Sequence, residues 1–197
     1  MKRIKIEKKL KKELDHTRFT HTLGVMYTAA ALAMAYGMDV EQAIYAGLLH
    51  DCAKCIPNED KLTMCQKNHI LIEPWEKREP FLLHAKLGAY LAQHKYKIKE
   101  PEILHAISVH TTGEPEMNDL DKIIFIADYI EPNRTQAPNL PEIRALAFVS
   151  LNQTMEQILS DTLQYLKEKG GELDPKTAET FEWFRQYNKN KNLKEAT

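Results

Sequence analysis

Residues 123–130 read IIFIADYI, apolar on nearly every side except for the single carboxylate of Asp128. A helix that is apolar all round has to be covered on more than one face, so the remaining chain must fold around this segment. The carboxylate inside it is costly unless a side-chain cation or a metal ion pairs with it. A structural salt bridge would meet that need, and so would a metal site.

Four histidines in other apolar segments favour the metal. His50 and Asp51 stand side by side at the end of an apolar run, in AGLLHDCAK over 46–54. His110 follows Ile103 by seven residues and Ile107 by three, which puts it on the apolar stripe of its helix. His84 precedes Leu87 by three and Leu91 by seven, and His21 precedes Val25 by four. One such histidine is more often a hydrogen-bonded core residue. Four of them, with Asp51 and Asp128, make metal binding the better explanation. His16, His69 and His94 lie in turns or polar surroundings, and His105 is offset from His110 by about 140° around the helix. These four stay outside the proposed site.

Six ligands without a cysteine are too many for one tetrahedral zinc, whereas two ions bridged by Asp51 use them all. One ion would take His21, His50, Asp51 and Asp128, and the other Asp51, His84 and His110. Imidazole with carboxylate suits iron, manganese, nickel, cobalt or zinc, and the residues do not choose among them. Arg18, three before His21, and Lys54, three after Asp51, stand one helical turn from ligands and are the candidate catalytic cations, placed to hold an anionic substrate. Arg134 follows Asp128 and is a further candidate for the substrate, with Thr111 and Thr112 as hydrogen-bond donors. Ordinary surface charge is the competing explanation for the three cations.

The rest of the chain reads all-α, as a bundle of about nine helices in one domain over 1–188, with a polar, disordered tail over 189–197. The helices fall near 4–14, 17–36, 39–50, 59–68, 81–95, 101–110, 118–130, 141–168 and 174–188. Seven glycines and nine prolines stand mostly at element ends, with Gly170 and Gly171 closing the long eighth helix. A net charge of −1 gives no global field for nucleic acid or a membrane surface, so a small soluble partner is expected. Three cysteines, Cys52, Cys55 and Cys65, are an odd number and argue against a disulfide framework. The apolar run over 22–38 is shorter than the ~20 residues of a membrane span, which points to a cytoplasmic protein. A homodimer is one compatible assembly.

The chain resembles the HD-domain phosphohydrolase superfamily, and within it the bacterial YqeK-type symmetrical dinucleoside tetraphosphatases. The resemblance lies in RFTHT (18–22), LLHDCAK (48–54), HA (84–85), VHTTG (109–113) and ADYIEPNR (127–134). It implies an all-helical fold, a di-iron centre on the six residues above, and cleavage of diadenosine tetraphosphate into two ADP. Other nucleotide phosphohydrolases of the superfamily are the alternative, as is a di-iron oxygenase on the same scaffold. A guanosine tetraphosphate hydrolase is expected to carry an acidic pair soon after the HD, where Cys52-Ala53-Lys54 stands. A cyclic-di-GMP phosphodiesterase is expected to carry Gly-Tyr-Pro, a tripeptide this chain lacks.

Overall fold

A computed structural model describes residues 1–137, 139–170 and 174–195. Gly171, paired in the sequence with Gly170 as a helix stop, lies outside them, as do residues 196 and 197 of the expected tail. The described residues contain helices and no strand. In chain order the helices are α1 (Arg3–Glu13), α2 (His16–Ala35), α3 (Val40–Leu49), α4 (Asn58–Lys67), α5 (Pro74–Arg78), α6 (His84–His94), α7 (Pro101–Val109), α8 (Asp119–Ile130), α9 (Leu140–Ala147), α10 (Leu151–Lys169) and α11 (Pro175–Glu195). A 3-10 turn over Pro80–Leu83 leads into α6.

Eleven helices among the described residues correct the expected nine, for two physical reasons. Pro74 occupies the first turn of α5, a helix not among the expected nine, where its missing N–H costs nothing, and Glu73 and Glu76 close a reciprocal capping box there. The expected long helix over 141–168 is two, because Ser150 caps a fresh start by accepting a hydrogen bond from the Gln153 N–H. The last helix continues to Glu195, through residues the sequence assigns to the tail.

Local capping signals set the starts of α3 and α8, whereas α4 begins at Asn58 itself, after Pro57 and without a side-chain cap. Asp39 accepts hydrogen bonds from the Glu41 and Gln42 N–H groups at the head of α3. Asn118 and Asp121 form a capping box at the head of α8.

Helix α8 is the axis of the bundle. Ile123, Ile124, Ile126 and Ala127 are fully buried in it, as its all-round apolar character demands. It packs against α2, α3, α7 and α10, while α2 and α3 lie against each other. Gly47 permits that approach, since a Cβ there would sit 3.0 Å from the Met26 Cα. The result draws α2, the end of α3, the start of α6, the end of α7 and the last turn of α8 to one place.

Candidate metal centre

All six candidate ligands meet at that place. His21 comes from α2 and Asp128 from α8. His50 and His110 are the C-cap residues of α3 and α7, Asp51 follows His50, and His84 is the first residue of α6. His50 and His84 are fully buried, Asp51, His110 and His21 nearly so, and Asp128 is half-buried.

Helix ends orient three of the four imidazoles. A helix leaves its last carbonyls without intrahelical partners. The Nδ1–H of His50 donates to the Gly47 carbonyl at 2.7 Å, and that of His110 to the Ile107 carbonyl at 2.7 Å. His84 Nδ1–H donates to the Phe81 carbonyl of the 3-10 turn. In the fourth, His21 Nδ1–H donates to Glu131 Oε1 at 3.1 Å. Carbonyl and carboxylate oxygens only accept, so each Nδ1 carries the proton and each Nε2 presents a lone pair.

These lone pairs converge on carboxylate oxygens. Asp51 Oδ2 lies 3.4 Å from His50 Nε2 and 3.9 Å from His21 Nε2. Asp51 Oδ1 lies 3.3 Å from His84 Nε2 and 3.6 Å from His110 Nε2. Asp128 Oδ1 approaches His21 Nε2 to 2.9 Å, but without the geometry of a hydrogen bond, and His21 Nε2, His50 Nε2 and Asp51 Oδ1 are left without partners. Buried acceptors facing one another with no proton between them need a cation. The cluster fits divalent metal ions. Three overlapping groups have ligand atoms close enough to share one: His21, His50 and Asp51; His50, His110 and Asp128; and Asp51, His84 and His110.

Electrostatics agree. Burial pushes the His84 imidazolium down to about 4, helped by the nearby Lys54 ammonium, so this ring stays neutral as a ligand must. Burial alone would raise the Asp51 and Asp128 carboxyls, yet positive charge and donated hydrogen bonds facing them hold both below the usual range. These come from His50, His110 and His84 at Asp51 and from His21, His50 and Arg134 at Asp128. With the imidazoles neutral at Nε2, their part falls to a bound cation.

The HD domain family profile matches residues 18–133, which hold all six residues. The chain belongs to the HD domain family. Among its relatives is the symmetrical bis(5'-nucleosyl)-tetraphosphatase of Bacillus subtilis (strain 168), 39% identical over 174 residues, which are 88% of this chain and 92% of that one. The enzyme of the same name from Halalkalibacterium halodurans is 38% identical over 92% of this chain and 96% of its own length. A crystal structure from Clostridium acetobutylicum, described as a "predicted HD superfamily hydrolase involved in NAD metabolism", has a TM-score of 0.92 and 37% identity, covering 95% of this chain and 98% of that one.

In this HD domain the three candidate cations stand around the cluster. Arg18 Nη1 donates to Asp51 Oδ2 at 2.7 Å, and Arg134 Nη2 to Asp128 Oδ1 at 2.9 Å. Lys54 Nζ donates to His84 Nε2 at 3.1 Å, and burial lowers the pKa of its ammonium. A cavity of about 340 Å³ opens beside the cluster, lined by His110, Thr111, Phe125, Asp128, Tyr129 and Arg134 among others. A second, of about 360 Å³, is lined by Arg18, His21, Glu131, Asn133 and Arg134 among others. Arg134 borders both.

Thr111 Oγ1 lies 3.2 Å from both His84 Nε2 and His110 Nε2, inside the cluster. Thr112 turns elsewhere. Its hydroxyl donates to the Gly113 carbonyl, and it lines a different cavity with Leu71, Glu73 and Lys176. His105 points away from the cluster, between Asp121 at 3.0 Å and Glu114 at 2.8 Å.

Sequence reasoning missed Glu131, whose carboxylate touches His21. One signal was available: an acidic residue at a helix C-terminus opposes the helix dipole and so calls for a reason.

Proposed function

We propose that this protein hydrolyses dinucleoside tetraphosphates symmetrically, releasing two nucleoside diphosphates, and that it does so with two divalent ions. The observation that carries the reading is the Asp51 carboxylate, which turns one oxygen toward His21 and His50 and the other toward His84 and His110. That disposition suits a bridging ligand. His21, His50, Asp51 and Asp128 would hold one ion, and Asp51, His84 and His110 the other. Bound divalent ions polarise a phosphate oxygen and activate water for in-line attack. Iron is the metal the resemblance implies, and the donor set also accepts manganese, nickel, cobalt and zinc.

The chain's own residues do the positioning. Arg18 and Lys54 place two positive charges beside the cluster, where neighbouring phosphates of a tetraphosphate would lie. Preorganised charge of this kind stabilises the transition state more than the substrate, because negative charge shifts onto the phosphate that leaves. The leaving group is itself a phosphate and needs no strong general acid. Arg134, at the border of two cavities, would anchor one nucleotide half while the other leaves. The names of the relatives from B. subtilis and H. halodurans support both the substrate and the symmetry of the cut. A small soluble substrate fits an enzyme of the cytoplasm, and no helix among the described residues is long and apolar enough to cross a membrane.

The test is product analysis of early time points with diadenosine tetraphosphate by anion-exchange chromatography. ADP alone is expected. ATP and AMP as primary products would contradict the symmetrical assignment. No cleavage with iron, manganese, nickel, cobalt and zinc each supplied would contradict the hydrolase.

A further inference from the structure

Glu131 is 1% exposed and ends α8 as its C-cap residue. A carboxylate there faces the negative end of the helix and is taken out of water, so its position is costly unless specific bonds offset it. The bonds are present. Oε2 accepts from the Asn133 backbone N–H at 2.8 Å and from Asn133 Nδ2 at 2.9 Å, while Oε1 accepts from His21 Nδ1–H at 3.1 Å. Arg144 fixes the backbone around it, donating to the carbonyls of Ile130, Glu131 and Arg134. Gly24 leaves the room: a Cβ there would meet Glu131 Oε2 at 2.2 Å. Sequence, helix end and loop are thus all arranged around one carboxylate that belongs to none of the candidate ligand groups.

The contrast with the other imidazoles gives this its meaning. His50, His84 and His110 each donate Nδ1–H to a neutral backbone carbonyl, and His21 alone donates to a carboxylate. A carboxylate behind an imidazole fixes the ring and makes its other nitrogen more basic. We propose that Glu131 is a positioning residue of the metal centre, holding the His21 Nε2 lone pair on the Asp128 side and making the ion beside His21 the more tightly held of the two. This rests on the two-ion reading above.

Zinc(II) competition against a chromogenic chelator, on metal-free full-length protein, measures both dissociation constants directly and without turnover. In Glu131→Ala the tighter constant should rise about 10–100-fold, the usual size of such outer-sphere effects, while the weaker one stays. Glu131→Gln keeps a carbonyl acceptor without the charge and should fall between. Gly24→Ala, which crowds Oε2 and displaces the carboxylate from its bonds, should weaken the same constant and lower the melting temperature of the metal-free protein modestly. Nitrogen-15 spectra of the metal-free protein should show His21 protonated at Nδ1, and a mixture of tautomers in Glu131→Ala. If Glu131→Ala does not fold, Glu131→Gln and Gly24→Ala carry the same test. Variants that fold and bind zinc with both wild-type constants would overturn the inference alone, as would equal weakening of both constants. A wild-type protein that binds no zinc would overturn it together with the metal reading.

Discussion

The Nε2 atoms of His84 and His110 lie 3.2 Å apart, and each ring has already given its Nδ1 proton to the carbonyl three residues back. Two lone pairs held that close, with Asp51 Oδ1 at 3.3 and 3.6 Å from them, form a pocket of acceptors. Lys54 and Thr111 supply side-chain donors to His84 Nε2. A divalent ion between Asp51, His84 and His110 resolves this arrangement, and several predictions depend on it.

Removing either imidazole should cost mainly one ion. His84→Ala and His110→Ala are expected to retain close to one metal per chain, and the unaltered protein close to two, as read by elemental analysis after desalting. His69→Ala, at an exposed position outside the cluster, should keep both metals and full turnover. Full metal content in His110→Ala would remove that residue from the site.

The cations around the cluster should affect turnover without affecting metal content. Arg18→Ala and Lys54→Ala are expected to keep both ions and lose on the order of 10²–10³-fold in kcat, the usual effect of deleting a preorganised electrostatic donor. Unchanged kcat in Lys54→Ala would make it a surface charge.

Acid should weaken the metal-free fold in two steps. His84 has its folded pKa depressed to about 4, from an unfolded value of 6.5, so the unfolded chain takes up this proton first. Stability linked to it is present above about pH 6.5 and is lost as pH falls toward about 4, by roughly 3 kcal/mol at most. Asp51 and Asp128, held below the ordinary carboxylate range, add a second loss below their unfolded values. Denaturant titrations at several pH values read both steps, and His84→Gln should abolish the first. A first step that persists in His84→Gln would assign it to another group.

The close crossing of α2 and α3 should tolerate no side chain at Gly47. Gly47→Ala forces a methyl to 3.0 Å from the Met26 Cα, in backbone that cannot yield cheaply. A loss of about 1–3 kcal/mol is expected from overpacking, outweighing the gain in helix propensity. It should be accompanied by weaker metal binding, because the same contact sets His21 against His50. Unfolding by calorimetry together with zinc titration measures the two effects.

Much of the site was legible because helical periodicity is a strong signal. His21, His84 and His110 are polar residues on apolar stripes, and Asp128 has apolar neighbours all round, so burial could be inferred from spacing. What the residues bond to could not. The Nδ1 partners of His50, His84 and His110 are backbone carbonyls, and these depend on where each helix ends, the least certain feature of a sequence. Glu131 escaped notice because its partner, His21, is 110 residues away. The break between α9 and α10 was missed for the opposite reason. Ser150 is a local signal, but the apolar pattern runs past it on both sides. Thr112 shows the limit in a loop, where no period says which way a side chain turns.

Divalent ions are expected at the convergence of imidazole Nε2 atoms on Asp51 and Asp128. Anomalous diffraction from crystals of the protein as purified, collected at the absorption edges of iron, manganese, nickel, cobalt and zinc, locates them directly. Two peaks are predicted, one among His21, His50, Asp51 and Asp128 and the other among Asp51, His84 and His110, every imidazole meeting its ion through Nε2. Crystals soaked in each metal without a peak in either place, or with ions met through Nδ1, would contradict that expectation.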